Sequence, residues 1–258
     1  MANGLSDFLA LASARPGMVP ITRQVVLDGD TPVSAFAKLH RGKYGFLLES
    51  LEGGERWARY TFLSTDPREV YRYRGRTVER WTQERGWETV ASDQAPLDHM
   101  AETMRRHPPV SLPGLPRFTG GAVGYIGYDV VRSLERLPSP PPDDRGLPDA
   151  IIMVADTVLV LDNLFNRATI IANVEAEPGV AREVLEARYN AAIARIDDWL
   201  GRLSAPSTLQ ALEISEAPPI PPTESPYPAE GYQARARAIP AWRGRSWLVR
   251  RRCARLSL

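Results

Sequence analysis

The 258-residue chain carries 32 Lys and Arg against 31 Asp and Glu, for a net charge of +1, with one cysteine and three histidines. This balance excludes a generally basic nucleic-acid binder, and a single cysteine excludes an internal disulfide framework or a Cys-rich zinc site. No run approaches the ~18 apolar residues of a membrane span, and the N-terminus lacks the basic start of a signal peptide. The expected compartment is the cytoplasm.

In chain order, the spacing of Leu5, Phe8, Leu9 and Ala12 predicts a short amphipathic helix over 3–14, followed by an extended segment at 19–27. Thr31 before Pro32 is a helix start, an N-cap hydroxyl ahead of a proline at the first helical position. Val33, Phe36, Ala37 and Leu39 mark its buried face, and Gly42 is expected to end it. Short strands at 44–50, 60–64, 70–73, 77–82 and 87–90, separated by glycine turns, predict an antiparallel meander. A helix over 97–106 ends at Pro108-Pro109. The Gly- and aromatic-rich block from Phe118 to Tyr128 is expected to run into a short helix through Arg136, then a proline loop at 138–142. Residues 151–161 and 168–174 read as two strands joined at Asp162-Asn163. The longest helix is expected over 179–203, with Val184, Leu185, Ile193, Ile196 and Leu200 on its apolar side. The fold class is therefore α+β, antiparallel sheets with packed helices.

Residues 204–230 hold seven prolines and read as an interdomain linker. The segment 242–258 holds six arginines, two of the six tryptophans, the single cysteine and no acidic residue. It has neither helical nor strand periodicity. A nucleic-acid or membrane arm and a stretch read out of its proper frame both accommodate that composition; the second is the expectation, with no nucleic acid and no membrane among the partners.

Gly121, Gly124 and Gly127 recur at every third position, the wrong spacing for a dinucleotide loop. They are expected to permit close backbone packing, with Tyr125 and Tyr128 as core or interface aromatics. Asp129, Arg132 and Glu135 predict a charge ladder on one helix face. Asp143-Asp144 makes a poor metal site. His40, His99 and His107 lack metal spacing and read as surface or helix-end residues. Leu47-Leu48-Glu49-Ser50 brings a polar pair to the end of a strand, where it reaches the sheet's rim.

Three ordered blocks carry a resemblance across residues 5–239. They are Tyr44-Gly-Phe-Leu-Leu-Glu-Ser50 with Ala58-Arg59-Tyr60-Thr-Phe-Leu and Asp66-Pro67; then Phe118-Thr-Gly-Gly-Ala-Val-Gly-Tyr-Ile-Gly-Tyr-Asp129 with Arg132, Glu135 and Pro138; then Pro148-Asp149 leading into 151–161. They resemble the N-terminal half of the large subunit of anthranilate synthase. The alternative is a fragment of aminodeoxychorismate synthase component I, which typically differs at the Arg59-Tyr60-Thr-Phe block, or a free-standing ligand-binding module.

The resemblance implies a protein of tryptophan synthesis, converting chorismate to anthranilate with Mg²⁺ and with ammonia from a glutamine amidotransferase subunit. It implies an L-tryptophan feedback site at the Leu-Leu-Glu-Ser motif, with Ser50 and Glu49 as ligand-binding residues. It divides the chain into a regulatory domain at 1–203, the linker at 204–230, the start of a chorismate-binding domain at 231–241, and an aberrant tail at 242–258. The catalytic residues and Mg²⁺ ligands of the family are expected beyond Ile239, where this sequence leaves the pattern, so the C-terminus reads as truncated or frameshifted. The chain is expected to be inactive alone and to bind tryptophan weakly or not at all.

Overall fold

The structure is a computed structural model that describes residues 4–49, 59–106, 108–139, 142–207 and 209–210. The chain divides into a unit of residues 1–210 and one of residues 211–258. All described residues belong to the first, so most of the expected linker, the 231–241 segment and the basic tail lie outside them.

Two five-stranded sheets form this unit, and every strand pair is antiparallel. The first has the order β1-β10-β9-β3-β2, built from Gly17–Val25, Arg167–Ala176, Thr157–Asp162, Tyr60–Thr65 and Gly45–Leu48. The second has the order β6-β5-β4-β8-β7, built from Gly86–Ala91, Thr77–Thr82, Glu69–Arg74, Ala150–Ala155 and Gly121–Ile126. Strict alternation in β9 sends Leu159 and Leu161 to one face and Val158 and Val160 to the other, and both faces are buried. On the outer face of the first sheet lie α1 (Leu5–Ala14), α2 (Pro32–Leu39) and α4 (Arg182–Leu203). Its inner face meets the second sheet through Phe46, Val158, Val160, Ile171, Met153 and Val123. Leu97, Met100 and Met104 of α3 (Pro96–Arg106) cover the far face of the second sheet, against Tyr71, Tyr73, Ile152 and Val154. The layers therefore run helix, sheet, sheet, helix, and the expected α+β class holds.

Helix α2 starts where Thr31-Pro32 directs. The Thr31 hydroxyl accepts from the Ser34 N–H at 3.1 Å, and the Ser34 hydroxyl accepts from the Thr31 N–H at 2.9 Å, a reciprocal capping box. In α4 the buried stripe is Leu185, Tyr189, Ala192, Ile196, Trp199 and Leu203, stepping by four and three. Val184, expected on the apolar side, is 44% exposed; the helical period admits Tyr189 and Trp199 in its place.

Three expectations are corrected. The segment 151–161 is two strands in different sheets, broken at Asp156, whose carbonyl accepts from the Asn173 N–H at 2.8 Å. The meander is broken between β3 and β4, where the chain crosses between sheets through Asp66-Pro67, with Asp66 at φ 51°. Asp tolerates that left-handed conformation better than a branched residue would. The block before Asp129 contains a strand, β7, and only Tyr128–Ser133 is helical, as a 3-10 turn.

Asn173 joins these crossings. It is buried in β10, and its side-chain amide donates to the carbonyls of Thr119 at 2.7 Å and Asp156 at 3.0 Å. It thus pins the β8–β9 break and the approach to β7 to the first sheet. A Cβ on Gly120 would fall 2.5 Å from that amide nitrogen and 2.8 Å from the Ala155 carbonyl, so this corner is closed to any side chain.

Candidate functional site

Glu49, the first of the polar pair singled out in the sequence, stands at the end of β2. Pairing Leu48 with Phe62 and Leu47 with Leu63 fixes the strand's faces: Leu47 packs with the helix-side core and Phe46 with the inter-sheet core. Leu48 returns to the inter-sheet face but is 45% exposed, because it sits where that interior opens to solvent. Glu49 follows immediately and is exposed. Ser50 and residues 51–58 lie outside the described residues. Aromatic rings line the approach to this rim. Phe118 meets Phe62 edge-on at 5.3 Å and Phe46 at 6.2 Å, and Tyr60 lies 6.0 Å from Phe62. The sequence contained each ring, but the contact of Phe118 with β2 and β3 spans over fifty residues and has no local signal.

Arg59, at the head of β3, is held on three sides. It forms a two-nitrogen pair with Asp162, at 3.0 Å from Nε and 2.6 Å from Nη2, with its guanidinium 4.7 Å from the Tyr60 ring and 4.9 Å from Phe165. The hydrogen bond from Arg59 holds the Asp162 carboxyl below the usual carboxylate range, against the opposing effect of burial. Its charge is therefore engaged by the fold rather than presented to a ligand. Beside it is a cavity of ≈ 160 Å³ lined by Gln24, Tyr60, Leu115, Val160 and Thr169.

A larger open cleft of ≈ 1080 Å³ lies between β7, the 3-10 turn and the 142–149 loop. Asp129 and Arg132 line it as an ion pair at 2.8 Å. The expected ladder stops there, since Arg132 turns its Nη1 to the Leu137 carbonyl at 3.0 Å and the 3-10 turn ends before Glu135. The Asp143 carboxylate accepts from the N–H groups of Arg145 and Gly146, which fixes the loop. Glu49 lines neither cavity.

The glycine series receives its explanation here. A Cβ on Gly124 would stand 1.9 Å from the Ile151 carbonyl, and one on Gly127 would stand 2.9 Å from the Asp149 carbonyl. Close packing of β7 on β8 requires these positions to be bare. Tyr125 and Tyr128 are 45% and 85% exposed, so neither is a core residue.

Among the described residues no group of three His, Cys, Asp or Glu side chains comes together in a way that could hold a metal ion. His40 caps the end of α2 and stacks on Phe36, as a helix-end residue should. His99 differs from expectation: it lies half-buried in α3 against Tyr71 and Tyr73, with its Nδ1 2.9 Å from the Tyr73 hydroxyl. Burial pushes its pKa down. No described helix is long and apolar enough to cross a membrane.

With helices and two antiparallel sheets in place and Glu49 at the end of β2, the comparison with known proteins gives the class. The family described as chorismate binding enzyme matches residues 51–239, and the chain belongs to that family. It is 39% identical over 205 residues to anthranilate synthase component 1 of Pseudomonas aeruginosa, covering 78% of this chain and 40% of that protein. It is 39% identical over 171 residues to anthranilate synthase component 1 of Acetivibrio thermocellus, covering 66% and 34%. Against that of Mycolicibacterium smegmatis it is 35% identical over 219 residues, covering 83% and 40%. The chain thus spans between a third and two-fifths of the length of these relatives. A crystal structure of anthranilate synthase component I from Streptococcus pneumoniae TIGR4 overlaps 67% of this chain and 36% of that one, at 24% identity and a TM-score of 0.38.

Proposed function

We propose that this chain corresponds to the effector-sensing part of an anthranilate synthase component 1, the protein that takes chorismate and ammonia to anthranilate at the start of tryptophan synthesis. The observation that carries this reading is 39% identity to anthranilate synthase component 1 over 78% of this chain but only 40% of that relative. In this reading the chorismate chemistry, its Mg²⁺ ion and its ammonia-supplying glutamine amidotransferase subunit belong to the longer protein. This chain alone does not turn chorismate over. L-tryptophan is the effector, held at the end of β2 by Glu49 and Ser50.

The chemistry of that strand end suits such a ligand. A carboxylate pairs with the amino acid's ammonium, and a hydroxyl shares hydrogen bonds with it. Glu49 is exposed and available, and the rings of Phe46, Phe62 and Phe118 give the neighbouring rim an apolar character suited to an indole. Polar contacts that the longer protein would add to the ligand are worth on the order of 2–5 kcal/mol, roughly 30- to several-thousand-fold in affinity. Tryptophan binding by this chain alone is therefore weak or absent.

The test joins residues 1–239 to the remaining part of the P. aeruginosa component 1 and selects an active chimera. L-tryptophan is expected to inhibit it, and Ser50→Ala to relieve inhibition while leaving turnover largely intact. A Ser50→Ala chimera as sensitive to tryptophan as its parent would show that this strand end is not the effector site.

A further inference from the structure

Among the described residues the four edges of the two sheets are not equally protected, and β7 is the exception. An unblocked edge strand is a template for pairing with another chain, and proteins blunt such edges with charge, proline, bulges or cover. The β1 edge is covered: Met18 N–H donates to the Pro108 carbonyl at 2.8 Å, and its carbonyl accepts from the Val110 N–H at 2.9 Å. The β6 edge carries the charged Glu88 and a register shift against β5 at Val78/Glu79. The β2 strand is only four residues long. By contrast β7, Gly-Ala-Val-Gly-Tyr-Ile, is six residues long and holds no charge and no proline, and its pairing with β8 is regular. Ala122, Gly124, Tyr125 and Ile126 in it are exposed.

We infer that β7 is a self-association edge, pairing antiparallel with the β7 of a second copy of this chain to join two second sheets into one ten-stranded sheet. The register follows from the ladder already present. Gly127 N–H donates to the Asp149 carbonyl at 2.7 Å, so in the alternating antiparallel pattern Gly121, Val123, Tyr125 and Gly127 turn their backbone groups toward β8. Ala122, Gly124 and Ile126 therefore direct theirs outward. A two-fold axis perpendicular to the sheet at Gly124 pairs Ala122 with Ile126 of the second copy in both directions. It also sets Val123 against the second Tyr125, an aromatic–β-branched pair of the kind that stabilises antiparallel ladders.

The strand is thus complementary to itself, and being uncharged it brings no like charges together at the axis. Enough apolar surface surrounds it. Tyr125, Ile126, Tyr128, Leu134 and Leu147 are 45%, 53%, 85%, 54% and 63% exposed, and Tyr125, Tyr128 and Leu147 share one cleft. At roughly 150–250 Å² for each ring and somewhat less for each aliphatic side chain, their exposed parts offer at most about 600 Å² per copy, so a pair that covered them all would reach the ~1,200 Å² at which specific interfaces begin.

Sedimentation velocity on the full 258-residue chain, under reducing conditions so that Cys253 forms no crosslink, reads the assembly directly. The expected species from low to high micromolar concentration is a dimer of twice 28.7 kDa. Two substitutions address the edge. Ala122→Pro removes an outward N–H while sparing the ladder to β8, a position at which edge strands tolerate proline. Ile126→Lys places a charge beside the axis at a half-exposed site. Both variants are expected to sediment as monomers with unchanged far-ultraviolet circular dichroism. If Ala122→Pro unfolds, the exposed Ile126→Lys decides alone. A wild-type chain that stays monomeric at high micromolar concentration overturns the assignment, as does a dimer that survives Ile126→Lys.

Discussion

Removing the Asn173 amide tests whether one side chain ties the two sheets together. In Asn173→Ala the buried Thr119 carbonyl loses its 2.7 Å donor, while the Asp156 carbonyl keeps the 2.8 Å bond from the Asn173 backbone and loses only the second one. A stranded buried carbonyl costs about 1–3 kcal/mol, and a lost bond to an acceptor that stays satisfied about 1 kcal/mol, giving roughly 3 kcal/mol in all. With a urea slope of about 2–3 kcal/mol/M, the unfolding midpoint should fall by roughly 1 M. Asn173→Asp sharpens the test by placing an acceptor where both facing groups are carbonyl oxygens. Its folded-state pKa is raised, because that site disfavours the charged form. The penalty is therefore full above the folded pKa and shrinks as pH falls through it. Equilibrium urea curves at neutral and mildly acidic pH should rank wild type above Asn173→Ala above Asn173→Asp at pH 7, with the last gap narrowing on acidification. A loss under about 0.5 kcal/mol for Asn173→Ala, within the scatter of ordinary surface changes, would refute the argument; so would an Asp variant at least as stable as the Ala variant at pH 7.

Three further outcomes are expected. Gly124→Ala, whose Cβ would sit 1.9 Å from the Ile151 carbonyl, should lower stability by about 2–3 kcal/mol as β7 is pushed off β8, read as a fall in melting temperature. Lys38→Met removes a 2.8 Å partner from Asp30 and a 3.0 Å donor from the Leu203 carbonyl at the end of α4, at a cost of about 2 kcal/mol at pH 7. Burial would raise the Asp30 pKa, but its hydrogen bonds from Lys38 and Ser34 outweigh this and lower it. The wild-type advantage is therefore present above the unfolded value near ~3.9 and is lost as pH falls through the folded one, which acid titration of both proteins would show. His99, whose pKa burial depresses, contributes stability that is full above the unfolded value of ~6.5 and lost as pH falls below it. His99→Gln should accordingly flatten the decline in melting temperature between pH 7 and pH 5.

Local chemistry was legible in the sequence, and long-range pairing was not. Thr31-Pro32 named the start of α2 because a capping box is contained in four residues. The limits of β5 were equally plain between glycine turns. The break at Asp156 was hidden because one polar residue in an apolar run fits either a continuous strand or a crossing between two sheets. Only Asn173, reaching back seventeen residues, makes it a crossing. Close backbone packing at Gly124 and Gly127 could be expected from the sequence, but the partner could not: only the fold sets them against the Ile151 and Asp149 carbonyls and makes β7 a strand. At the candidate site, the polar end of β2 could be read from Leu-Leu-Glu-Ser. The aromatic rim beside it could not, since Phe118 reaches β2 and β3 only through the fold.

The central claim is that this chain senses an effector for chemistry performed by the longer protein. Anthranilate fluorescence tests it most directly, on the purified chain supplied with chorismate, Mg²⁺ and ammonium. No product above a no-enzyme blank is predicted, because the proposal rests on a match that covers 78% of this chain but only 40% of the relative. Anthranilate accumulating in proportion to the protein added would contradict it.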